Sequence, residues 1–272
     1  MMRSLWSAAS GMISQQTAVD TIANNLANVN TTGYKNEKAE FKSLLYQTLQ
    51  TRTTTANGEE KPISAQVGLG TRVAAITSNF TQGPHLDSES YTAMAIDGDG
   101  FFAVRGADGN TYYTRNGDFK LSVGNDGNLT LVTSDGFPVL DSNGNTIEVP
   151  GGVNASKIQV TSEGSFGYLD GSSTFVDLNQ TIGLFQFNNP AGLEKMSNSL
   201  LNVTDASGQP LNEATTPNLV LSTVRQGYLE GSNVQVADEM VNLIVAQRAY
   251  EMNSKAIQAS DDMLSQANQL KR

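Results

Sequence analysis

Residues 4–30 read SLWSAASGMISQQTAVDTIANNLANVN and contain one charged side chain, Asp20. Apolar residues in this stretch recur at alternating steps of three and four, with only Gln15 polar in the series, and this heptad pattern predicts an α-helix that packs on another helix. The positions of this N-terminal seam are Leu5, Ala8, Met12, Val19, Ile22, Leu26 and Val29. The stretch therefore predicts a helix that needs a partner.

The opposite face of this predicted helix is polar but carries little charge. It contains Ser10, Thr17, Thr21, Asn24 and Asn28, with Asn25 and Asn30 beside them. Asparagine in a helix costs roughly half a kcal/mol relative to Ala, so another interaction must offset that cost. Because amides donate and accept hydrogen bonds, we interpret the row as a polar contact between subunits. The alternative is a lone amphipathic helix that covers its own domain.

The other end of the chain predicts a second long helix. Ser232 and Gln235 have the spacing of a capping box, and a heptad series follows for about nine turns. The apolar positions of the series are Val236, Met240, Leu243, Tyr250, Ile257 and Leu264, and Gln247, Ser254 and Asp261 interrupt it. Since neither helix can bury its stripe alone, we expect the two to pair with each other or with neighbouring subunits.

Fourteen residues of the two helices are the predicted subunit-interface set. They are Leu5, Met12, Val19, Ile22, Asn24, Asn25, Leu26, Asn28, Val29, Met240, Leu243, Tyr250, Ile257 and Leu264.

Between the helices the sequence changes to alternating strands with a turn signal about every ten residues. Examples are GADGN at 106–110, GNDGN at 124–128 and DSNGN at 141–145. The predicted fold class is α+β: a terminal coiled-coil domain from 1–35 and 228–272, an inserted all-β domain at 93–227, and an extended arm at 36–92. The stretch at about 50–66 shows no periodicity, so we expect residues 51–66 to order only on assembly, the alternative being a plain linker.

Composition excludes several chemical functions. The chain has no cysteine and a single histidine, His85. This composition leaves no thiolate chemistry and no cluster of histidines for a metal, and it offers no histidine besides His85 for a Ser-His catalytic relay. Asp97, Asp99 and Asp141 stand in motifs that resemble the start of a calcium loop, but the remaining ligands are missing. We therefore predict no catalytic residues, no metal site, no cofactor and no enzymatic activity.

The charge of the chain is unevenly distributed. Residues 1–60 carry five basic and five acidic side chains, whereas the net charge of the whole chain is −10. Near-neutral ends allow many copies to stack without repulsion, and an acidic middle is tolerated on the outside of a stack. No basic patch is present to neutralise phosphates, so nucleic acid is not an expected partner. The N-terminus does not have the pattern of a cleaved secretory signal.

Several blocks of the sequence resemble the rod and hook proteins of the bacterial flagellar basal body. The clearest are NNLANVNTTGYK at 24–35, AIDGDGFFAV at 95–104, YTRNGDFKL at 113–121, FNNPAGLEKMSNSLL at 187–201 and the run at 225–264. Together they cover the chain nearly end to end. Within the family the chain is most similar to the distal rod proteins, on its length, SLLYQTLQ at 43–50 and VGLGTRV at 67–73.

The resemblance implies a structural subunit that self-assembles into a helical tube and transmits torque from the motor to the hook. It further implies type III export without a cleaved signal and a location in the basal body across the cell envelope and periplasm. The implied partners are further copies, other rod subunits, the hook protein, the export apparatus and the P- and L-ring bushing proteins. The family architecture places the terminal helices as an inner domain around the export channel.

The sequence leaves other hypotheses about the function open. Within the family they are a proximal rod subunit or a hook-type subunit. Outside it they are a secreted coiled-coil adhesin and an enzyme that cleaves carbohydrate or peptidoglycan, for which the sequence nominates no pair of acidic residues.

Overall fold

Helix-rich and strand-rich segments of the chain separate into two units. The computed structural model describes residues 2–50, 65–124, 127–170, 174–217 and 219–270. The helical unit comprises Met1–Ala27, Glu37–Ser78 and Gln235–Arg272, and the β unit comprises Asn28–Asn36 and Asn79–Val234. Each unit is therefore built from segments that are distant in sequence.

The helical unit contains two long helices and two antiparallel strand pairs. The helices are α1 (Met2–Ala27) and α2 (Val236–Gln269), and the strands are β1 (Glu37–Ser43), β2 (Tyr46–Gln50), β3 (Ala65–Gly68) and β4 (Thr71–Ser78). β1 pairs with β4, and β2 pairs with β3. No described helix has both the length and the apolar character needed to cross a bilayer.

Helix α2 begins without the predicted capping box. Its N-cap is Gln235, which makes no side-chain capping hydrogen bond. Ser232 instead accepts a hydrogen bond from the Val234 N–H at 3.3 Å, before the helix starts. Ser232 and Gln235 therefore do not form a capping box for α2, because Ser232 lies in the segment before the helix. Acidic side chains in the first turn, Asp238 and Glu239, face the positive end of the helix dipole.

The two helices run antiparallel and meet at steps of seven residues. Ser4 Oγ lies 3.1 Å from Ser260 Oγ, and a Cβ atom added to Gly11 would lie 2.8 Å from Asn253 Nδ2. Seven residues further along each helix, the same register places Ala18 opposite Ala246, which is buried. Most of these facing residues are small, namely Ser4, Gly11, Ala18, Ala246 and Ser260, and small side chains allow helix axes to approach closely.

The β unit contains sixteen strands in the described residues, all paired antiparallel. They are β5 (His85–Asp87), β6 (Met94–Asp97), β7 (Phe101–Arg105), β8 (Thr111–Thr114), β9 (Phe119–Val123), β10 (Leu129–Thr133), β11 (Glu148–Val149), β12 (Ile158–Val160), β13 (Ser165–Leu169), β14 (Phe175–Thr181), β15 (Leu184–Gln186), β16 (Glu194–Lys195), β17 (Leu201–Asn202), β18 (Leu211–Asn212), β19 (Thr223–Gln226) and β20 (Tyr228–Glu230).

A six-stranded sheet, in the order β16-β17-β8-β7-β15-β18, organises the core of the β unit. Successive side chains of β7 alternate between two apolar clusters, as the two-residue period of a strand requires. Phe102 and Val104 lie in the larger cluster, whereas Phe101 and Ala103 lie in the smaller one. β7 is therefore buried on both faces and shows no polar alternation in its sequence.

The structure confirms an α+β fold with a helix at each end of the chain and a β domain between them. The predicted hairpin at 106–110 forms, with the Gly106 N–H donating to the Asn110 carbonyl at 2.8 Å. The region predicted as an extended arm contains strands: Glu37–Ser78 belongs to the helical unit, and the chain from Asn79 belongs to the β unit. Of the segment predicted to order only on assembly, residues 51–64 lie outside the described residues, so that part stays a prediction. Ala65 and Gln66 at its end belong to β3, which pairs with β2 in the single chain.

A cysteine pair tests the helix register. The natural chain has no cysteine, so Ser4→Cys/Ser260→Cys introduces two thiols where the hydroxyl oxygens are 3.1 Å apart. We expect a disulfide on mild oxidation, detected by a dithiol-sensitive shift in gel mobility, and a gain in stability of about 2–4 kcal/mol. The control Ser4→Cys/Ser254→Cys displaces one thiol by more than a helical turn, and efficient cross-linking of that pair would contradict the register.

Candidate functional site

The predicted subunit-interface residues differ widely in exposure. Leu5, Met12, Val19, Ile22, Leu26, Asn28, Val29, Leu243, Ile257 and Leu264 are half-buried; Asn24, Met240 and Tyr250 are exposed; Asn25 is fully buried. The structure brings two of them, Val19 and Tyr250, to one groove between α1 and α2 with a volume of about 380 Å³. Asn28 and Val29 follow the end of α1 and belong to the β unit.

Asn25 connects three segments of the helical unit through its side-chain amide. Its Nδ2 donates to the Glu37 carbonyl at 2.8 Å and to Glu239 Oε1 at 3.2 Å, and its Oδ1 accepts from the Glu37 N–H at 2.9 Å. The amide thereby joins the end of α1 to the first residue of β1 and to the first turn of α2. These contacts lie within one chain, so we assign Asn25 to the interior of the subunit.

The Glu239 carboxylate is buried in this network and loses hydration there. Burial raises the pKa of Glu239, the hydrogen bond from Asn25 lowers it, and the nearby Asp238 carboxylate raises it further. A buried carboxylate is stable in its ionised form only while it has a donor. Asn25 supplies that donor, which explains why an amide stands at a buried helix position.

The other two amides of the row have different surroundings. Asn24 Nδ2 donates to Glu37 Oε2 at 3.4 Å on the exposed side of the helical unit. Asn28 Oδ1 accepts from Thr31 Oγ1 at 3.0 Å in the turn that follows α1. Contact of these residues with a second subunit stays a proposal.

Helix α2 carries an apolar stripe that the predicted heptad series does not include. Its residues, which we name the exposed seam, are Val241, Val245, Met252, Ala256, Ala259 and Met263. The larger ones are 49–64% exposed. At 100° per residue this seam lies well away from the residues of α2 that face α1, and a third stripe with Arg248, Glu251, Lys255, Gln258 and Asp262 is charged or polar. The spacing of the exposed seam, in steps of three and four residues and one step of seven between Val245 and Met252, was visible in the sequence.

A buried charge cluster lies in the β unit. Lys35 Nζ is 2.6 Å from Glu230 Oε1, and Arg115 Nη1 is 3.3 Å from Glu230 Oε2, with all three side chains at most 4% exposed. Burial lowers the pKa of Lys35 and of Arg115, and the Glu230 carboxylate opposes the shift in both. Lys35 also donates to the Thr81 carbonyl at 2.8 Å, and Arg115 donates to the Gly98 carbonyl at 2.7 Å.

A second polar network of the β unit involves the half-buried Asn233. Its Oδ1 accepts from the Asn36 N–H at 2.7 Å, and its Nδ2 donates to the carbonyls of Asn79 at 2.8 Å and Thr81 at 3.1 Å. The Asn79 N–H donates in turn to the Asn36 carbonyl at 2.9 Å. One amide thus fastens three segments of the β unit beside the places where the chain leaves it.

The described residues contain no group of three or more His, Asp or Glu side chains placed to hold a metal ion. Asp141, from a motif that resembles a calcium loop, builds a turn: its Oδ1 accepts from the N–H groups of Asn143 and Asn145, both at 2.8 Å. This is the usual Asx geometry of an aspartate in a turn.

Three family models match the chain. They are described as flagella basal body rod protein (residues 5–35), flagellar hook protein FlgE/F/G D1 domain (95–168) and flagellar basal body rod FlgEFG protein C-terminal (225–270). The flagellar basal-body rod protein FlgG of Borreliella burgdorferi is 47% identical over the full length of both chains. The chain belongs to the flagellar basal-body rod protein family.

Further relatives agree with this assignment. FlgG of Agrobacterium fabrum is 41% identical over 97% of each chain, and FlgG of Bacillus subtilis is 37% identical over the full length of both. These homologues are structural proteins of the flagellar rod. The chain is a structural subunit of the distal rod of the flagellum and is located in the basal body, where rod proteins self-assemble and contact other flagellar components.

Replacing Asn25 tests its role as a donor. Asn25→Asp keeps the shape but removes both N–H donors and places a carboxylate against Glu239. We expect a loss of about 3 kcal/mol in the unfolding free energy, measured by urea unfolding followed by far-UV circular dichroism. Two facing carboxylates bind protons more tightly in the folded state than in the unfolded state, so the loss grows as pH rises from roughly 4 to 7.

The control for that change is Asn242→Asp, an exposed amide on α2. It should alter stability by less than about 0.5 kcal/mol. An Asn25→Asp loss no larger than the control, or one that does not depend on pH, would contradict the network.

The charge cluster of the β unit gives a second test. Glu230→Gln leaves Lys35 and Arg115 buried without their shared carboxylate, so we expect a loss of about 3–5 kcal/mol in the stability of the β unit. Asp118→Asn is the matched control, because Asp118 pairs with Lys120 at 2.8 Å on the exposed surface, where an ion pair contributes less than about 1 kcal/mol. Equal losses from both changes, measured by near-UV circular dichroism, would refute the assignment.

Proposed function

We propose that this chain polymerises through its helical unit into a helical tube that transmits torque from the flagellar motor to the hook. The observation that carries the proposal is the exposed seam of α2 in a member of the rod protein family. A chain of this family that keeps a continuous apolar stripe on its longest helix gains free energy when a second copy covers the stripe.

In this proposal α1 and α2 form an antiparallel coiled coil. The contacts of Ser4 with Ser260 and of Asn25 with Glu239 are spaced by three heptads on each helix, which supports a heptad register. The small residues of the register hold the two helices together at close range. Large apolar side chains at neighbouring positions, such as Met240 and Tyr250, remain available for other subunits.

Burial supplies the driving force of assembly. Full burial of one Val or Met side chain stabilises a contact by about 1.5–3 kcal/mol, and the exposed seam contains two of each. Helix α1 adds Trp6 and Ile13, which are 71% and 65% exposed and lie one heptad apart on the same side of the helix. Together with the predicted interface residues other than the buried Asn25, these side chains form the proposed contact between subunits.

The charge of each unit is compatible with a stack of many copies. The segments of the helical unit contain ten basic and ten acidic side chains, whereas those of the β unit contain seven basic and seventeen acidic ones. Helical units can therefore be brought together without net repulsion. We place them at the inner wall of the tube, around an export channel, with the β units outward.

The remaining parts of the proposal follow from membership of the rod family. The chain is exported by the type III apparatus without a cleaved signal and is incorporated in the cell envelope. It contacts other rod subunits and the hook protein, with the P- and L-ring proteins outside it. Its function is mechanical, and it catalyses no reaction.

A charge in the exposed seam tests the proposal. Val245 is 62% exposed, so Val245→Asp should leave the helical unit folded while blocking polymerisation, because assembly would bury an unpaired carboxylate. The control is Gln258→Asp, on the polar stripe of the same helix, which should polymerise normally. Polymers are scored by electron microscopy and sedimentation, and monomer folding by circular dichroism. Normal polymers from Val245→Asp would refute the proposed contact.

A further inference from the structure

Trp6 is the only tryptophan of the chain, and its side chain is 71% exposed on helix α1. Ser4 contacts α2, and Trp6 follows two residues later, which is about 200° around the helix. The indole therefore points away from the partner helix of its own chain. A tryptophan offers roughly 150–250 Å² of surface for burial, and this residue type is enriched among those that dominate binding between proteins.

The groove of about 380 Å³ between α1 and α2 has the size for one large side chain. Its volume is near the lower end of the range of about 300–1,000 Å³ that is typical of ligand pockets. Tyr250 and Val19 are its apolar lining, and Gln16, Gln247 and Glu251 line it with polar groups. Tyr250 is 43% exposed, so its ring is accessible to a second aromatic ring. The groove thus combines an aromatic wall with hydrogen-bond acceptors.

The indole N–H distinguishes the groove from the exposed seam as a surface that covers Trp6. Buried tryptophan usually places this N–H against an acceptor, since an unpaired buried donor costs free energy. The exposed seam consists of Val, Met and Ala side chains, which provide no strong acceptor. At the groove, Gln16 and Gln247 provide amide oxygens and Glu251 provides a carboxylate. The groove therefore matches the indole better than the exposed seam does.

The charges beside Trp6 and at the groove are complementary. Arg3 is exposed and stands three residues before Trp6, on the same side of α1. Glu251 is exposed at the groove, where its Oε2 accepts a hydrogen bond from Arg248 at 2.8 Å. A carboxylate accepts several donors, so a guanidinium that arrives with Trp6 can bind there as well. Such an exposed pair orients two copies more than it holds them together.

Trp6 and the groove occupy different places on the helical unit. Gln16 and Val19 are ten and thirteen residues beyond Trp6, which is roughly 15–20 Å along α1 at 1.5 Å per residue. Because α1 is one continuous helix, Trp6 cannot enter the groove of its own chain. A contact between two unlike surfaces joins copies head to tail, and it builds an open helical assembly when the rotation between copies does not close a ring.

We propose that Trp6 of one copy inserts into the groove between α1 and α2 of a second copy. There the indole stacks on Tyr250 and donates its N–H to the polar rim, with Arg3 beside Glu251. The inference rests on the proposed polymerisation and names one contact through which it proceeds. A second copy is the occupant because rod proteins self-assemble and because one chain carries both complementary surfaces.

Tryptophan fluorescence is the first test, because all indole emission of the full-length chain comes from Trp6. The parent chain is compared below and above its critical concentration. On polymerisation the emission maximum should move to shorter wavelength, and quenching by iodide should fall several-fold. An unchanged maximum and unchanged quenching in polymers that are visible by electron microscopy would overturn the inference alone. A parent chain that forms no polymers would refute the proposed function instead.

Cysteine cross-linking identifies the surface that covers Trp6. Chains with Arg3→Cys alone and affinity-tagged chains with Glu251→Cys alone are mixed, polymerised and mildly oxidised, since the natural chain has no cysteine. We expect a disulfide between unlike chains, because both thiols lie in the proposed contact and both variants keep Trp6. In the matched control, Ala256→Cys on the exposed seam replaces Glu251→Cys and should not cross-link. Efficient cross-linking to Ala256→Cys, or polymers without a cross-link in either mixture, would contradict the proposed groove.

Coupling between Trp6 and Tyr250 is the third test. Trp6→Ala should raise the critical concentration of polymerisation by roughly thirty-fold, as for an interface hot spot. Tyr250→Ala should raise it as well, and the double variant should show much less than the product of the two effects, because each change removes the shared contact.

The control for this coupling combines Trp6→Ala with Met252→Ala on the exposed seam, and the effects of these two changes should multiply. Far-UV circular dichroism checks that each variant folds as a monomer. Multiplied effects for the pair Trp6 and Tyr250 would show that the two side chains do not meet, and the inference would be wrong.

Discussion

The helical unit depends on one buried hydrogen-bonding group, the side-chain amide of Asn25. It satisfies the backbone N–H and carbonyl of Glu37 and donates to the buried Glu239 carboxylate, so the first residue of β1 and the first turn of α2 are positioned by the same atom group. An apolar side chain of the same size could fill the space but could not pair these groups, and each unpaired buried group would cost about 1–3 kcal/mol. The position of the strands relative to the helices within this unit follows from that requirement.

The heptad pattern predicted both helices and that each needs a partner. It predicted only some of the residues through which the two helices contact each other. On α2 the sequence reading followed the large apolar residues Met240 and Tyr250, whereas the face toward α1 is made of Glu239, Ala246 and Ser260, which are buried. Hydropathy favours large side chains, while close approach of two helices favours small ones. On α2 the small residues Ala246 and Ser260 are therefore buried, whereas the large residues Met240 and Tyr250 are exposed and Leu243, Ile257 and Leu264 are half-buried.

The β unit was predictable from turn residues, since GADGN and its repeats mark hairpins through local backbone preferences. The charge cluster was not predictable, because Lys35, Arg115 and Glu230 are far apart in sequence and each is an ordinary charged residue in its own segment. Only the sheet topology brings them together. A cavity of about 300 Å³ beside them could not be predicted for the same reason, because its basic residues come from three separate segments. Asn198 and Ser199, which also line it, stand in a block that carries the family resemblance.

Hydrogen-bonded polar groups, buried or half-buried, lie in both units next to places where the chain passes from one unit to the other. In the helical unit Asn25 and Glu37 are within two residues of such a passage, and in the β unit Asn36 and Asn233 are too. Apolar packing tolerates small displacements, whereas a satisfied network of directional hydrogen bonds is met in one geometry and becomes costly in others. For a structural subunit, polar contacts of this kind at Asn25, Asn36 and Asn233 fix the geometry of the chain near these passages in a way that apolar packing alone would not.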